Sequence, residues 1–301
     1  MNGVPFLRKC HAQALMKTMN RRDKLLSGLP LSQSVGAEIG PLHNALVEKL
    51  DRTVFYIDHC DTETLRARWS TDVGVDLSKL HVDAVWGEQS LREAIDNSEL
   101  ARKCGLQACM LDYLVASHVV EHVPDIITWF REIHSVLKDS GSVRLAIPDK
   151  RYSFDILRQT SSMTDVVDAF VRKRRVPSGS RILDFTLNMV SVDCGKVWAN
   201  QIKFDELVHG YTIPQSIALA EDAEINGTYH DVHCWVFTPA SFANLCCNLA
   251  NANLLDFECE QLFPTEPNEF EFFAWMQPSR DQQRIVESWK AVCAKLNCMH
   301  I

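Results

Sequence analysis

Several things are missing from this sequence, and each absence narrows what it can be. There is no run of eighteen or more apolar residues, which excludes a conventional membrane-spanning helix. The twelve glycines never form a G-x-G-x-x-G array, so the backbone cradle that a dinucleotide pyrophosphate needs at a helix N-terminus is not written here. None of the eleven cysteines is paired at C-x-x-C spacing: Cys246 and Cys247 are adjacent and the others are scattered, so no metal site is expected from them. An odd number of dispersed thiols in a chain of 301 residues reads as reduced, core-filling cysteine in a cytoplasmic protein. Positive charge is in deficit as well. A formal net charge of -8 gives no long-range attraction toward nucleic acid or an anionic membrane, and no nucleic-acid partner is expected.

The first 22 residues lack acidic side chains but hold Arg8, Lys9, Lys17, Arg21 and Arg22, a bias shared with organellar transit peptides. The stronger reading is structural. Phe6, Ala14, Leu15 and Met19 fall at roughly helical spacing and run on into Leu25 and Leu26, which predicts a helical cover over residues 1–33.

What is present is α/β texture. Short apolar runs predict strands at 34–39, 53–58, 82–86, 111–117 and 142–147, alternating with amphipathic stretches as βαβ units do. Between the fourth and fifth runs, Ile126, Ile127, Phe130, Ile133, Val136 and Leu137 share one face of a helix predicted over 124–138, with Asp125 at its N-terminus and Gly141 as its C-terminal breaker. Residues 151–230 read as a mostly helical insertion, with the basic run Arg172, Lys173, Arg174 and Arg175 as a solvated helix end. Thr238 and Pro239 then make an N-cap and first-turn pair for a helix through Asn251, followed by an antiparallel strand pair at 255–262 and 269–276. Residues 34–301 are therefore read as one domain around a mostly parallel sheet.

In such a sheet, ligands bind beyond the carboxyl ends of the strands. The first predicted strand ends in Glu38, Ile39, Gly40 and Pro41, a carboxylate followed by a glycine that lets a ligand approach the backbone. The second ends in Tyr56, Ile57, Asp58 and His59, where a carboxylate can accept both hydrogen bonds of a ribose diol. Together with the run Ser117-His118-Val119-Val120-Glu121-His122-Val123-Pro124-Asp125 and with Ile147-Pro148-Asp149-Lys150-Arg151, these stretches resemble class I S-adenosylmethionine-dependent methyltransferases of the small-molecule and glycan-associated branch. The resemblance covers about Gly36 to Asp155. It implies a Rossmann-like, seven-stranded, mostly parallel sheet with an antiparallel C-terminal pair, and S-adenosyl-L-methionine as cofactor. Carried over by position, it implies that Glu38 and Gly40 line the methionine end, that Asp58 holds the ribose hydroxyls and that the backbone at Ser117 faces the amino group. Here the third strand is followed by Trp86, Gly87, Glu88 and Gln89, so Glu88, the candidate adenine contact, stands about one place from the family's usual position.

Methyl transfer to a hydroxyl needs an aligned acceptor and a base. His118 and His122, at i and i+4 after the fourth strand, are the candidates, with His122 as base or acceptor-positioning group; the alternatives are that His118 packs beside the cofactor and His122 pins the turn. His118, Glu121 and His122 lie on one short turn and make a poor metal site without an outside ligand, so none is expected. Asp149 and Arg151 either orient a polar acceptor or form an internal salt bridge. His230, Asp231, His233 and Trp235 suit a lid, although Trp235, Phe237 and Phe242 read as core. The expected activity is methyl transfer to oxygen or nitrogen of a small molecule or glycan precursor. A degenerate copy of the fold acting as an interaction partner, and a nicotinamide-dependent oxidoreductase, stand as alternatives, and the sequence leaves monomer and homodimer both open.

Overall fold

A computed structural model describes residues 19–32, 34–49, 53–106 and 111–297; residues 1–18 of the expected N-terminal cover lie outside the described residues. The chain enters through helix α1 (Arg21–Leu26), capped by Asn20, and runs into strands β1 (Val35–Ile39) and β2 (Thr53–Asp58). Helix α2 (Thr62–Arg68) leads to the short β3 (Ala84–Val85), and α3 (Leu91–Asp96) and α4 (Glu99–Cys104) to β4 (Leu111–Ser117). Helix α5 (Ile126–Val136) passes directly into β5 (Leu137–Pro148). The region expected as an insertion holds α6 (Met163–Val171), α7 (Gly179–Asn188), a two-residue pair β6 (Val190–Ser191) and β7 (Val208–His209), α8 (Cys194–Trp198) between them, and α9 (Ile213–Asn226). The chain closes with α10 (Pro239–Asn251), β8 (Phe257–Phe263), β9 (Glu271–Pro278) and α11 (Gln282–Asn297).

The main sheet has seven strands in the order β3-β2-β1-β4-β5-β9-β8; the first five are parallel and the last two antiparallel, giving the expected Rossmann-like sheet. The two faces bury different cores. One packs α3, α5, α10 and α11 over residues such as Ile57, Leu114, Phe130, Phe242 and Trp289, and the other seats Leu25 and Leu26 of α1 against Val54, Tyr113 and Phe273. Strands buried on both faces must be apolar throughout, which is why β4 reads as a nearly continuous hydrophobic run.

The N-cap predicted at Thr238 holds, and Asp125, expected near the start of its helix, is the N-cap of α5. Asp125 accepts from the Ile127 and Thr128 amides at 3.1 and 3.0 Å, and Thr238 caps α10 in a reciprocal box with Ser241. Gly141 is a correction: it does not end the helix. Leu137 already pairs with Leu111, whereas Ser142 pairs with Tyr113, so residues 138–141 bulge from the ladder, and a Cβ on Gly141 would stand 2.9 Å from the Lys138 carbonyl. Helix α11, which no expectation covered, lays Ile285, Trp289 and Leu296 against the sheet beside α10.

Candidate active site

Strand order reverses between β1 and β4, so a crevice opens where the connections after them diverge. Gly40 ends β1 at φ +63°, its amide bonded to the Ile57 carbonyl at 2.8 Å, and a Cβ there would lie 3.1 Å from Val119 of the turn after β4. Conformation and clearance both call for glycine. Glu38, two residues earlier in β1, is buried, and its two oxygens accept from the Leu46 and Val47 amides at 2.8 and 2.9 Å. Burial outweighs those two bonds and pushes its pKa up to about 7. Glu38 therefore folds the 40–47 loop back on β1, while Ile39, Gly40 and Leu42 line the cavity.

That cavity, of about 560 Å³, lies in the roughly 300–1,000 Å³ range of small-molecule sites. Asp58 lines it from the end of β2; its Oδ1 accepts the His59 amide at 2.8 Å and lies 2.7 Å from His59 Nδ1. Trp86, Gly87 and Glu88 follow β3 along the same wall, with Trp86 stacked on Trp129 at 6.2 Å and donating to Glu132 at 2.7 Å. Arg68, Arg174 and Arg175 also line the space. The basic run expected to be a solvated helix end is thus divided: Arg172 and Lys173 are exposed after α6, whereas the chain turns at Lys173 (φ +52°) and carries the next two arginines to the cavity.

The opposite wall is the turn after β4. His118 sits at φ +56°, a conformation that costs a non-glycine residue roughly 1–2 kcal/mol. Its amide donates to the Ala146 carbonyl at 3.0 Å and its Nε2 meets Glu271 Oε2 at 2.8 Å. Glu271, buried at the start of β9, also takes Arg21 Nε at 2.7 Å. Burial works to raise the Glu271 pKa, but its bonds to His118 and Arg21 prevail and hold it below the usual carboxylate value. His122 Nδ1 lies 2.8 Å from Asp231 Oδ1. Burial alone would depress the His122 pKa, yet the Asp231 bond and the charges of Glu121, Asp231 and Asp155 lift it above the ordinary imidazole value; Asp231 correspondingly is held down to about 2 against its own burial.

Behind His122, the segment 231–237 runs beneath the turn: Trp235 donates its amide to the Glu121 carbonyl at 3.0 Å and its indole to the Val123 carbonyl at 2.6 Å. His233 is buried there, its Nδ1 2.6 Å from Asp155, and its ring meets that of His122 edge-on at 4.6 Å. Arg158, wholly buried, completes the support by bonding Asp155 at 2.7 Å, Asp184 at 2.7 Å and the His233 carbonyl at 2.8 Å.

Gly40, Asp58, Glu88, His118 and His122 gather around one cavity, whereas Glu38, expected at the methionine end of the cofactor, does not line it. Ser117 does not line it; its hydroxyl accepts from Arg21 at 2.6 Å. Asp149 and Arg151 are a correction to the acceptor-orienting alternative. Asp149 is fully buried, paired with Arg151 Nη2 at 2.6 Å and with the Thr265 hydroxyl at 2.7 Å, so the pair anchors the chain leaving β5 away from the cavity. Trp235, Phe237 and Phe242 are core. Asp231 and His233, grouped on the sequence only as lid material, are the partners of the β4 turn. Arg174 and Arg175 were not expected at the site at all.

No family model matches the chain, and no curated protein matches it. Among solved structures it is similar to the CcbJ methyltransferase from Streptomyces caelestis, at 9% identity and a TM-score of 0.42 over 86% of this chain and 89% of that one. It is similar also to an S-adenosylmethionine-dependent methyltransferase from Clostridium acetobutylicum (8%, TM-score 0.41, 91% and 98%) and to a Rhodobacter sphaeroides protein described as a zinc-dependent alcohol dehydrogenase (12%, TM-score 0.44, 85% and 88%). Likeness of this degree leaves the chemistry to the residues themselves.

Proposed function

We propose that this chain binds S-adenosyl-L-methionine along the β1–β2 side of the cavity and transfers its methyl group to an oxygen or nitrogen of a small acceptor, such as a glycan precursor, on the side of the β4 turn. The observation that carries this reading is the convergence of Gly40, Asp58 and the His118–His122 turn on one space at the switch in strand order, in a chain without a pyrophosphate cradle.

The residues present fit the cofactor. Asp58 offers a carboxylate at the strand end where a ribose diol is held, and Gly40 keeps open the space that a side chain would fill. Glu88 and Trp86 border the position expected for an adenine ring. When bound, the cofactor supplies a methyl group on a sulfonium centre. His122, steadied by Asp231, positions the acceptor against it. Arg68, Arg174 and Arg175 favour an acceptor bearing a carboxylate or phosphate, since guanidinium groups pair such oxygens in bidentate fashion.

The test is calorimetric titration of the purified protein with S-adenosylhomocysteine, with NADH as the comparison. Micromolar binding of the first alone is expected. Binding of NADH alone would move the chain to the oxidoreductases, and binding of neither would leave a protein that has kept the fold for interaction.

A further inference from the structure

Beneath the cavity floor stands a carboxylate with no hydrogen-bond partner among the described residues. It belongs to Glu121, which is 0% exposed and bonded there through neither oxygen. His118 Nδ1 stands 3.5 Å from Oε1 without bonding it. A buried carboxylate left in this condition is costly, and native structures nearly always satisfy one with a partner or an ion.

Two imidazoles share its surroundings. One carboxylate oxygen of Glu121, one ring nitrogen of His122 and one of His233 all lie within 4.8 Å of one another. Both histidines use Nδ1 on a carboxylate, His122 on Asp231 at 2.8 Å and His233 on Asp155 at 2.6 Å. An imidazole that donates from Nδ1 presents a lone pair at Nε2, and a carboxylate behind each ring is the usual second partner of a metal-ligating histidine. Charge favours the same occupant: Asp231 and Asp155 stand behind the two imidazoles, and Asp184 joins Asp155 on the Arg158 guanidinium. Phe154 and Phe185 flank the His233 ring at 4.7 and 5.7 Å, an apolar shell that keeps the local dielectric low.

We propose that Glu121, His122 and His233 bind one divalent cation of the zinc type, through Nε2 of both histidines and a carboxylate oxygen. The sequence alone argued against a site on this turn for want of an outside ligand, and His233, 111 residues on from His122, supplies it. Zinc takes such ligands at about 2.0–2.2 Å, which sets them roughly 3.3 Å apart around a tetrahedron, so small side-chain rotations close the present arrangement onto the ion. Three protein ligands leave a fourth position for water or for an acceptor oxygen, and His122 lines the cavity from which either would come. A histidine-rich set selects zinc, cobalt or nickel over magnesium. The site does not depend on the methyl-transfer reading, because the cation is measured without cofactor or acceptor.

The experiment uses the whole protein, treated with chelator and dialysed, then titrated with Zn²⁺ and with Co²⁺. One equivalent is expected to bind and to raise the melting temperature, with Mg²⁺ giving neither effect. The bound Co²⁺ should show the visible absorption of a four-coordinate nitrogen and oxygen site with no intense near-ultraviolet thiolate band. Glu121→Gln keeps the shape and removes the charge, and should weaken binding by more than the roughly 10–100-fold expected of Asp231→Asn behind His122. Cys60→Ser is the control for the Asp58, His59 and Cys60 group, the other cluster of such ligands among the described residues, and should leave stoichiometry and affinity unchanged. No binding, a thiolate band, or loss of binding in Cys60→Ser with retention in Glu121→Gln would overturn the proposal. Should Glu121→Gln fail to fold, the wild-type cobalt spectrum still decides between the two ligand sets.

Discussion

The two walls of the cavity are held in different ways. On the β1–β2 side the strand-end carboxylates act locally: Glu38 ties down amides eight and nine residues later, and Asp58 bonds the amide of the next residue. On the β4 side the supports come from far along the chain. His122 leans on Asp231, 109 residues away, and His118 on Glu271, 153 residues away. A locally braced wall forms with its own loop. A remotely braced one exists only when the whole domain has folded, so it should be the more sensitive to changes elsewhere.

The largest expected effect breaks the remote wall from below. Arg158→Ala removes the guanidinium bonded to Asp155 and leaves that buried carboxylate short of a partner, so denaturant unfolding should show a loss of about 3–5 kcal/mol. A loss under about 1 kcal/mol would mean that the 231–237 segment stands without it.

Next comes the local wall, through pH. Burial raises folded Glu38 from 4.5 to about 7, so the folded chain favours the protonated form. Its contribution is complete below pH 4.5 and is lost as pH rises through about 7, a swing of up to about 3 kcal/mol. Glu38→Gln should flatten the corresponding fall in melting temperature across that window, and an unchanged profile would show that some other group drives it.

Asp58→Ala deletes a charged acceptor from the same wall. Each lost bond is worth roughly 1.5–3 kcal/mol, so affinity for S-adenosylhomocysteine should drop by about tenfold or more in calorimetry, with melting behaviour little altered. His122→Ala sharpens the contrast: it should leave S-adenosylhomocysteine affinity nearly intact while lowering turnover once an acceptor is known. The reverse pattern would assign His122 to the cofactor side. The smallest effect tests a purely local device away from both walls. Thr238→Ala removes the N-cap of α10 and should cost about 1 kcal/mol by thermal unfolding.

Legibility in the sequence follows the same division. Strands β1, β2, β4 and β5, the helix over 126–136 and the Thr238 cap declare themselves through periodicity and capping chemistry, both of which act over a few residues. Gly40, Asp58, His118 and His122, which line the cavity, stand out in the sequence because strand ends are where such sheets bind ligands. What escaped notice is what depends on distant pairing: His233 facing His122, Glu271 clamping His118, and the turn at Lys173 that swings Arg174 and Arg175 inward. Asp149 and Arg151 looked as much like a site as the histidines did, and only the burial of Asp149 with Thr265 tells them apart. Gly141 was misread because a glycine that ends a helix and one that permits a bulge are identical on the page.

The clamp of Glu271 on His118 also bears on how the molecule is made. Ribosomes add roughly 5–20 residues per second, so the 153 residues between these partners correspond to about 8–30 seconds during which the β4 turn has emerged without its counterpart. Arg21 waits longer still, 250 residues ahead of the same carboxylate. Throughout that interval the nascent chain carries an unclosed sheet edge at β5, and β9, the strand that covers this edge, is the one that brings Glu271 to the histidine.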